Sequence, residues 1–201
     1  MGILEAPHIQ EVNPNVAAFR AALSTAGAIL IGQQQEGLRV YSHHSHYPLA
    51  GGETLFEKRV AIGEVALRPI MKEEAANHGL PSCWGFGHDG EVHVLRHADT
   101  DMHSRSSIDV TSGQFKRGIA EVGRAFASAG LHKLLEVNIA GQLFPAEAGN
   151  LTLEETDEPN RVQTVTFIPT PPNVAEGDWS AASCWSFSEH GDPFVTGLCN
   201  E

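Results

Sequence analysis

Histidine is the residue type in this chain that is best suited to bind a metal ion or to take part in catalysis. The sequence holds 11 histidines among 201 residues, and several lie close together. In the first group, His44 and His46 follow the apolar run around Val40. If that segment is extended, the two imidazoles project to one face, because alternate side chains of a strand share a face. Two converging imidazoles are suitable ligands for a transition metal.

A second group of metal-ligating residue types follows Val92, where the sequence reads V-H-V-L-R-H-A-D-T-D-M-H. In an extended strand His97, Asp99 and His103 share one face, which is richer in His and Asp than an ordinary solvated strand face. Since eleven extended residues span about 35 Å, a single ion takes only a local subset of them. We therefore predict a site for Zn, Fe, Ni or Mn with these ligands: His44, His46, His97, Asp99 and His103.

Glu53 is the candidate catalytic residue of this metal site. It follows Gly51 and Gly52 and is a candidate general base or further ligand, with an exposed carboxylate near a helix N-terminus as the alternative. The histidine groups together with Glu53 predict a metal-dependent hydrolase or lyase acting on a small polar substrate, whose ion polarises the substrate or activates water.

The two Cys-Trp dipeptides offer a different chemistry. Cys83 and Cys184 each precede a tryptophan and have a histidine nearby. A nucleophilic cysteine needs a stabilised thiolate, whereas these two lie in aromatic-rich, strand-like stretches that favour a buried core role. The alternative to an enzyme is a non-catalytic ligand-binding or protein-interaction module, with a homodimer left open, whose histidines lie on the surface or in the core.

Charge and composition exclude several function classes. The chain has 25 acidic and 13 basic residues and a net charge of −12, which disfavours binding to a phosphate backbone. Its apolar runs are shorter than the roughly 18–20 residues of a membrane-spanning helix, and the N-terminus lacks the pattern of a secretory signal. Three cysteines fit a reducing compartment. We expect a cytoplasmic protein that binds neither nucleic acid nor membrane.

Two helices are predicted by apolar spacing. The first ends at Gly27, and the second runs from the N-cap Ser112 to Gly130. Short apolar strands are expected directly after them, over 28–31 and 134–137.

The remaining pattern is typical of strands and hairpins. We expect strand-like structure up to Arg68, followed by a short helix over 69–77. Hairpins are predicted around the turns at 88–90 and 157–160.

An internal repeat organises these elements. Ser-Cys-Trp-Gly-Phe-Gly at 82–87 resembles Ser-Cys-Trp-Ser-Phe-Ser at 183–188, and a helical match pairs Gly27 with Gly130. We predict a single domain over 1–201 built from two related halves, 1–104 and 105–201. The expected fold is α+β, a largely antiparallel sheet with helices packed on one face.

Overall fold

The computed structural model describes residues 16–35, 37–43, 47–104, 108–139, 150–169 and 182–200. Within these ranges the chain forms four helices and ten strands. The helices are α1 Val16–Gly32, α2 Lys72–His78, α3 Thr100–Ser104 and α4 Gly113–Ser128. The strands are β1 Arg39–Ser42, β2 Glu53–Ala61, β3 Glu64–Met71, β4 Gly79–Phe86, β5 Val92–Asp99, β6 Leu135–Asn138, β7 Asn150–Asp157, β8 Val162–Pro169, β9 Ala182–Phe187 and β10 Pro193–Asn200.

The ten strands form one closed barrel in the order β1-β6-β4-β5-β2-β3-β8-β7-β10-β9, with β9 pairing back onto β1. The pairs β2–β5 and β7–β10 are parallel, and the other pairs are antiparallel. The prediction of an α+β fold with helices on one face of a sheet is therefore wrong. Closure gives each of the ten described strands a neighbour on both sides, which strand periodicity cannot reveal.

The strand order of the barrel is symmetric. Exchanging the first five strands with the last five, so that β1 replaces β6 and β2 replaces β7, reproduces the same ring. The exchange also interchanges the two parallel pairs. The division into halves at 104 and 105 stays a prediction, but the topology has an approximate twofold axis between β1 and β6.

The larger apolar core lies outside the barrel, between its wall and the helices α1 and α4, and a smaller one joins Val65, Leu67 and Val165 to Ala98 and Met102. Leu38, directly before β1, and Val40 in β1 face the larger core, whereas the alternate residues Arg39 and Tyr41 face the barrel interior. The two Cys-Trp tryptophans also lie in the larger core and each stacks edge-on against a helix phenylalanine. Trp84 lies 4.7 Å from Phe115 and Trp185 lies 5.3 Å from Phe19, measured between ring centroids.

Glycines let each helix approach a hairpin turn closely. Gly27 of α1 packs on Phe187 and Gly191, and Gly123 of α4 packs in the same way on Phe86 and Gly90. Gly27 thus corresponds to Gly123 in the packing, and the predicted match with Gly130 is wrong by seven residues. A slip of seven residues is about two helical turns, so it preserves the apolar stripe and is invisible to periodicity.

The helix predictions were correct at the second helix and wrong at the first. Ser112 caps α4, its Oγ accepting from the Phe115 amide at 3.1 Å. Helix α1 instead continues through Gly27 to Gly32, so the strand expected over 28–31 is wrong. Its Leu30 is buried in the core, and packing outweighs the helix-breaking tendency of the glycine.

The strand predictions were largely correct. Strand β6 and both predicted hairpins are present. The short helix begins at Lys72 rather than at residue 69, because Pro69 lies in β3. Strand β3 pairs with β8 only up to Leu67, so Pro69 lies where that side of the strand needs no amide donor.

Helices that combine the length and the apolarity needed to cross a bilayer are absent from the described ranges.

Candidate functional site

A pocket of about 230 Å³ enters the barrel at the end where β2 and α2 begin. Its wall is largely apolar, and its polar side chains come from six separate segments. The apolar and aromatic lining residues are Tyr47, Leu49, Leu55, Val94 and Leu95. The polar lining residues are His43, Glu53, Thr54, Lys72, Arg96, Glu136 and Gln163.

Arg96 reaches the pocket because strands β4 and β5 are irregular at this point. Their register shifts on both sides of Cys83, which pairs with Arg96, and Trp84 then pairs with Val94. Bulges of this kind redirect side chains and are frequent beside functional sites. Here the shift brings Arg96 from β5 against Cys83 of β4 and the acidic side chain of Glu136 in β6.

Arg96 is the centre of a buried charge cluster, here called the pocket-side cluster. Its Nε lies 2.9 Å from Oε1 of Glu57, and its Nη2 donates both to Glu136 and to Sγ of Cys83, the latter at 3.0 Å. Asn138 Nδ2 donates to Glu57 at 2.7 Å. One guanidinium therefore faces two carboxylates that water reaches poorly. The cluster consists of Glu57, Cys83, Arg96, Glu136 and Asn138.

The pKa values of the two carboxylates in the pocket-side cluster shift in opposite directions. Burial raises the pKa of Glu57 above its usual value, against the lowering effect of Arg96 and Asn138. Burial also acts to raise the pKa of Glu136, but Arg96 and the hydrogen bond with His43 outweigh it, and this pKa is lowered. Burial raises the pKa of the Cys83 thiol well above its usual value, as expected for a fully buried core cysteine.

His43 connects the cluster to solvent. Its Nδ1 lies 2.9 Å from Oε2 of Glu136, and its side chain is 51% exposed while that of Glu136 is 4% exposed. In the neutral imidazole, donation from Nδ1–H to Glu136 leaves a lone pair on Nε2. The pair can therefore accept a proton or a hydrogen bond at the pocket entrance.

Glu53, the predicted catalytic residue, also lines the pocket, but its carboxylate is engaged. Arg161 donates to both of its oxygens, and the Ala50 amide donates to Oε2 at 2.7 Å. The hydrogen bond from Arg161 is the main reason that the pKa of Glu53 is lowered. Its role as a base stays a prediction, and the contacts describe a carboxylate that holds Arg161 near Tyr47.

The structure does not assemble the predicted metal ligands from the residues it describes. His97 lies in β5, where burial lowers its pKa, and Asp99 ends that strand with its Oδ1 accepting from the Asp101 amide at 2.7 Å. His103 lies in α3, outside the extended strand that was expected to continue from Val92. His44 and His46 lie outside the described residues, as does the His103 side chain.

The described side chains include no group of three or more His, Cys, Asp or Glu residues that could hold a metal ion. Among these residues the prediction of a metal-binding group is therefore wrong, and the hydrolase or lyase activity stays a prediction. The physical reason is the orientation of β5. Its Arg96 and Ala98 face inward, whereas His93, on the face predicted to bind metal, has a half-exposed side chain.

The barrel interior holds a second polar cluster, here called the enclosed cluster, made of Arg39, Tyr41, Glu154, Cys184 and Thr196. All five are buried, with Cys184 Sγ 3.4 Å from Oγ1 of Thr196. Burial is the largest cause that raises the pKa of Tyr41, with Arg39 acting against it. Each cluster thus combines one Cys-Trp cysteine with one arginine and at least one glutamate.

Sequence reasoning missed the pocket residues Arg96 and Glu136, together with Glu57, which pairs with Arg96. A signal was present in the sequence, since Glu136 stands alone in the apolar run Leu134-Leu135-Glu136-Val137, as Arg39 does between Leu38 and Val40. A single charge at an inward position of a strand is costly unless it is paired, and therefore indicates a buried partner.

No protein-family model matches the chain, and no curated protein or solved structure is significantly similar to it.

Proposed function

We propose that this protein binds a small amphipathic molecule in the pocket between β2, β5 and α2. The pocket itself carries the proposal, because an apolar wall that ends on a few convergent polar groups is the usual form of a small-molecule site. The proposed protein is a binding module, and no catalytic step is part of it.

The size of the pocket limits the ligand. A cavity of about 150 Å³ accepts a benzene ring, so 230 Å³ suits a molecule of about ten non-hydrogen atoms. A dissociation constant of 1 mM corresponds to about −4 kcal/mol, or roughly −0.4 kcal/mol per atom for such a ligand, which is well within reach of a small site.

The entrance supports binding of the apolar part of the ligand. Leu49 and Val94 both line the pocket and are 40% and 46% exposed. A ligand that covers them removes apolar surface from water, worth about 25 cal/mol per Å² before the costs of association.

The test uses phenylacetamide and phenylacetate as probes, with binding followed by amide chemical shifts of the whole chain. We expect saturable shifts around the pocket, with dissociation constants of about 1 mM or below for at least one probe. Val94→Trp should abolish them by filling the entrance. Val60→Trp is the matched control, since Val60 is similarly exposed at 52% but lies outside the pocket lining. Absence of shifts for both probes, or equal shifts in the Val94→Trp variant, contradicts the proposal.

A further inference from the structure

Arg96 has hydrogen-bonding capacity that its partners in the barrel do not use. A guanidinium carries five N–H donors. The Nε and Nη2 groups of Arg96 face Glu57, Glu136 and Cys83, whereas Nη1 has no partner among the residues that the structure describes. Nη1 is not one of the fully buried polar atoms that lack a hydrogen-bond partner, and it therefore contacts solvent. Since Arg96 lines the pocket, two of its N–H groups are free for a ligand.

Lys72 adds a second cation to the same pocket. It is exposed at the start of α2, and its ammonium group forms no ion pair with any residue in the described ranges. An ammonium on a flexible stem can follow a ligand at little cost, whereas the buried guanidinium is fixed in place.

The acidic side chains of the pocket are already neutralised. Glu53 is paired with Arg161, and Glu136 is paired with both Arg96 and His43. Glu57 does not line the pocket, and it too is paired with Arg96. Among the described residues, Lys72 is therefore a lining cation that no acidic side chain pairs with.

We infer that the pocket selects small organic acids, whose carboxylate binds Nη1 of Arg96 and the ammonium group of Lys72 while the apolar part contacts Leu49, Leu55 and Val94. The inference rests on the proposed function and adds the charge of the ligand to it. It also explains why a protein with a net charge of −12 places Lys72, which pairs with no described acid, beside the guanidinium of Arg96 in one pocket.

Three probes with the same phenyl group test the selection: phenylacetate, phenylacetamide and phenethylamine. We expect the acid to bind at least fivefold more tightly than the amide, and the amine to bind most weakly. Lys72→Met should weaken phenylacetate binding about fivefold and leave phenylacetamide binding unchanged. Lys58→Met is the matched control, because Lys58 is an exposed lysine of β2 outside the pocket, and it should change neither affinity.

The outcomes separate this inference from the proposed function. If phenylacetamide or phenethylamine binds as tightly as the acid and Val94→Trp blocks it, the pocket is a binding site but carboxylate selection is overturned. If none of the three binds, the proposed function itself fails. A carboxylate also occurs at the end of a peptide, so N-acetyl-leucyl-phenylalanine is the fourth probe. Weaker binding than phenylacetate supports a small free acid, and tighter binding overturns that assignment.

Discussion

The pocket-side and enclosed clusters occupy the same barrel interior and are built from similar residues. Each has a buried cysteine next to an arginine, Cys83 with Arg96 and Cys184 with Arg39. They differ in the number of carboxylates that surround each arginine. Arg96 faces two carboxylates within its cluster, whereas Arg39 shares its cluster with Glu154 and with the uncharged groups of Tyr41 and Thr196.

This difference explains why the pocket-side cluster reaches solvent and the enclosed cluster does not. A guanidinium balances one buried carboxylate, and a second one needs another positive or polar partner. Glu136 finds that partner in the half-exposed His43, which lies beside the pocket. Glu154 is satisfied inside the barrel, where Gln163 Nε2 donates to it at 2.8 Å. The same frame therefore supports an open site and a closed one.

The largest expected effect comes from removing the arginine of each cluster. Arg96→Met leaves the buried carboxylates of Glu57 and Glu136 without their cationic partner. We expect a loss of about 3–5 kcal/mol in the free energy of unfolding at pH 7. Arg39→Met should lower the free energy of unfolding by less, because fewer carboxylates in its cluster lose a cationic partner. Urea denaturation measures both.

A double variant keeps this comparison informative if Arg96→Met folds poorly. Adding Glu136→Gln removes one of the two unpaired buried charges and should recover part of the lost free energy of unfolding. A loss for Arg39→Met equal to or greater than that for Arg96→Met would contradict the distinction between the clusters.

The two helix–turn contacts should respond alike, with an intermediate effect. A Cβ added at Gly123 lies 2.6 Å from the Phe86 ring and 2.8 Å from the Gly90 carbonyl oxygen, and one added at Gly27 collides with Phe187 and Gly191. We expect Gly27→Ala and Gly123→Ala each to lower the unfolding free energy by about 1–3 kcal/mol, offset in part by the roughly 1 kcal/mol that alanine gains in a helix.

Thermal unfolding checks this pair of substitutions against Gly32→Ala. The Cβ added at Gly32, the last residue of α1, meets no atom within 4 Å, so this control should be neutral or slightly stabilising. A neutral result at Gly123 alone would mean that the two contacts are not equivalent.

The smallest expected effect is a difference in pH dependence between the two acids of Arg96. The pKa of Glu136 is lowered, so its stabilisation is present above its unfolded pKa of about 4.3 and is lost as pH falls through the folded value. The pKa of Glu57 is raised, so its stabilisation is complete below about 4.3 and is lost as pH rises through the folded value.

Substitution of each acid by glutamine should therefore flatten a different part of the stability profile. Glu57→Gln should remove the decline of stability above about pH 4.3, and Glu136→Gln should remove the decline on the acid side. Urea midpoints measured between pH 3 and 7 test both. If Glu57→Gln leaves the slope of stability against pH unchanged above pH 5, the burial of the Glu57 carboxyl does not cause that slope.

The hairpins and the second helix could be predicted because their causes are local. Ser112 caps α4 with its own side chain, and the glycine at position 90 has the positive φ of +84° that a tight turn favours. The end of α1 could not be predicted in this way, because Gly27 serves a contact with Gly191 that lies far along the chain.

Histidine content is a poor signal for the candidate site, because His43 is one of only a few charged or titratable side chains that line the pocket. Of the pocket residues, only Glu53 was singled out from the sequence, and its carboxylate is held by Arg161. Arg96 and Glu136 were overlooked because a strand pattern shows which residues share a face but not which face is inside. A register shift beside Cys83 further changes that pattern.

By itself the sequence determined the alternation of the strands, the turn positions, the capped helix and the burial of both Cys-Trp dipeptides, all of which follow from backbone preferences and apolar spacing over a few residues. Tertiary structure decided that the strands close into a barrel, that the charged side chains of β1, β5 and β6 point inward, and that a pocket ends on Arg96 and Glu136. The reason is physical. Strand closure and charge pairing join residues 40 to 145 positions apart, and such pairings depend on the free energy of the whole chain.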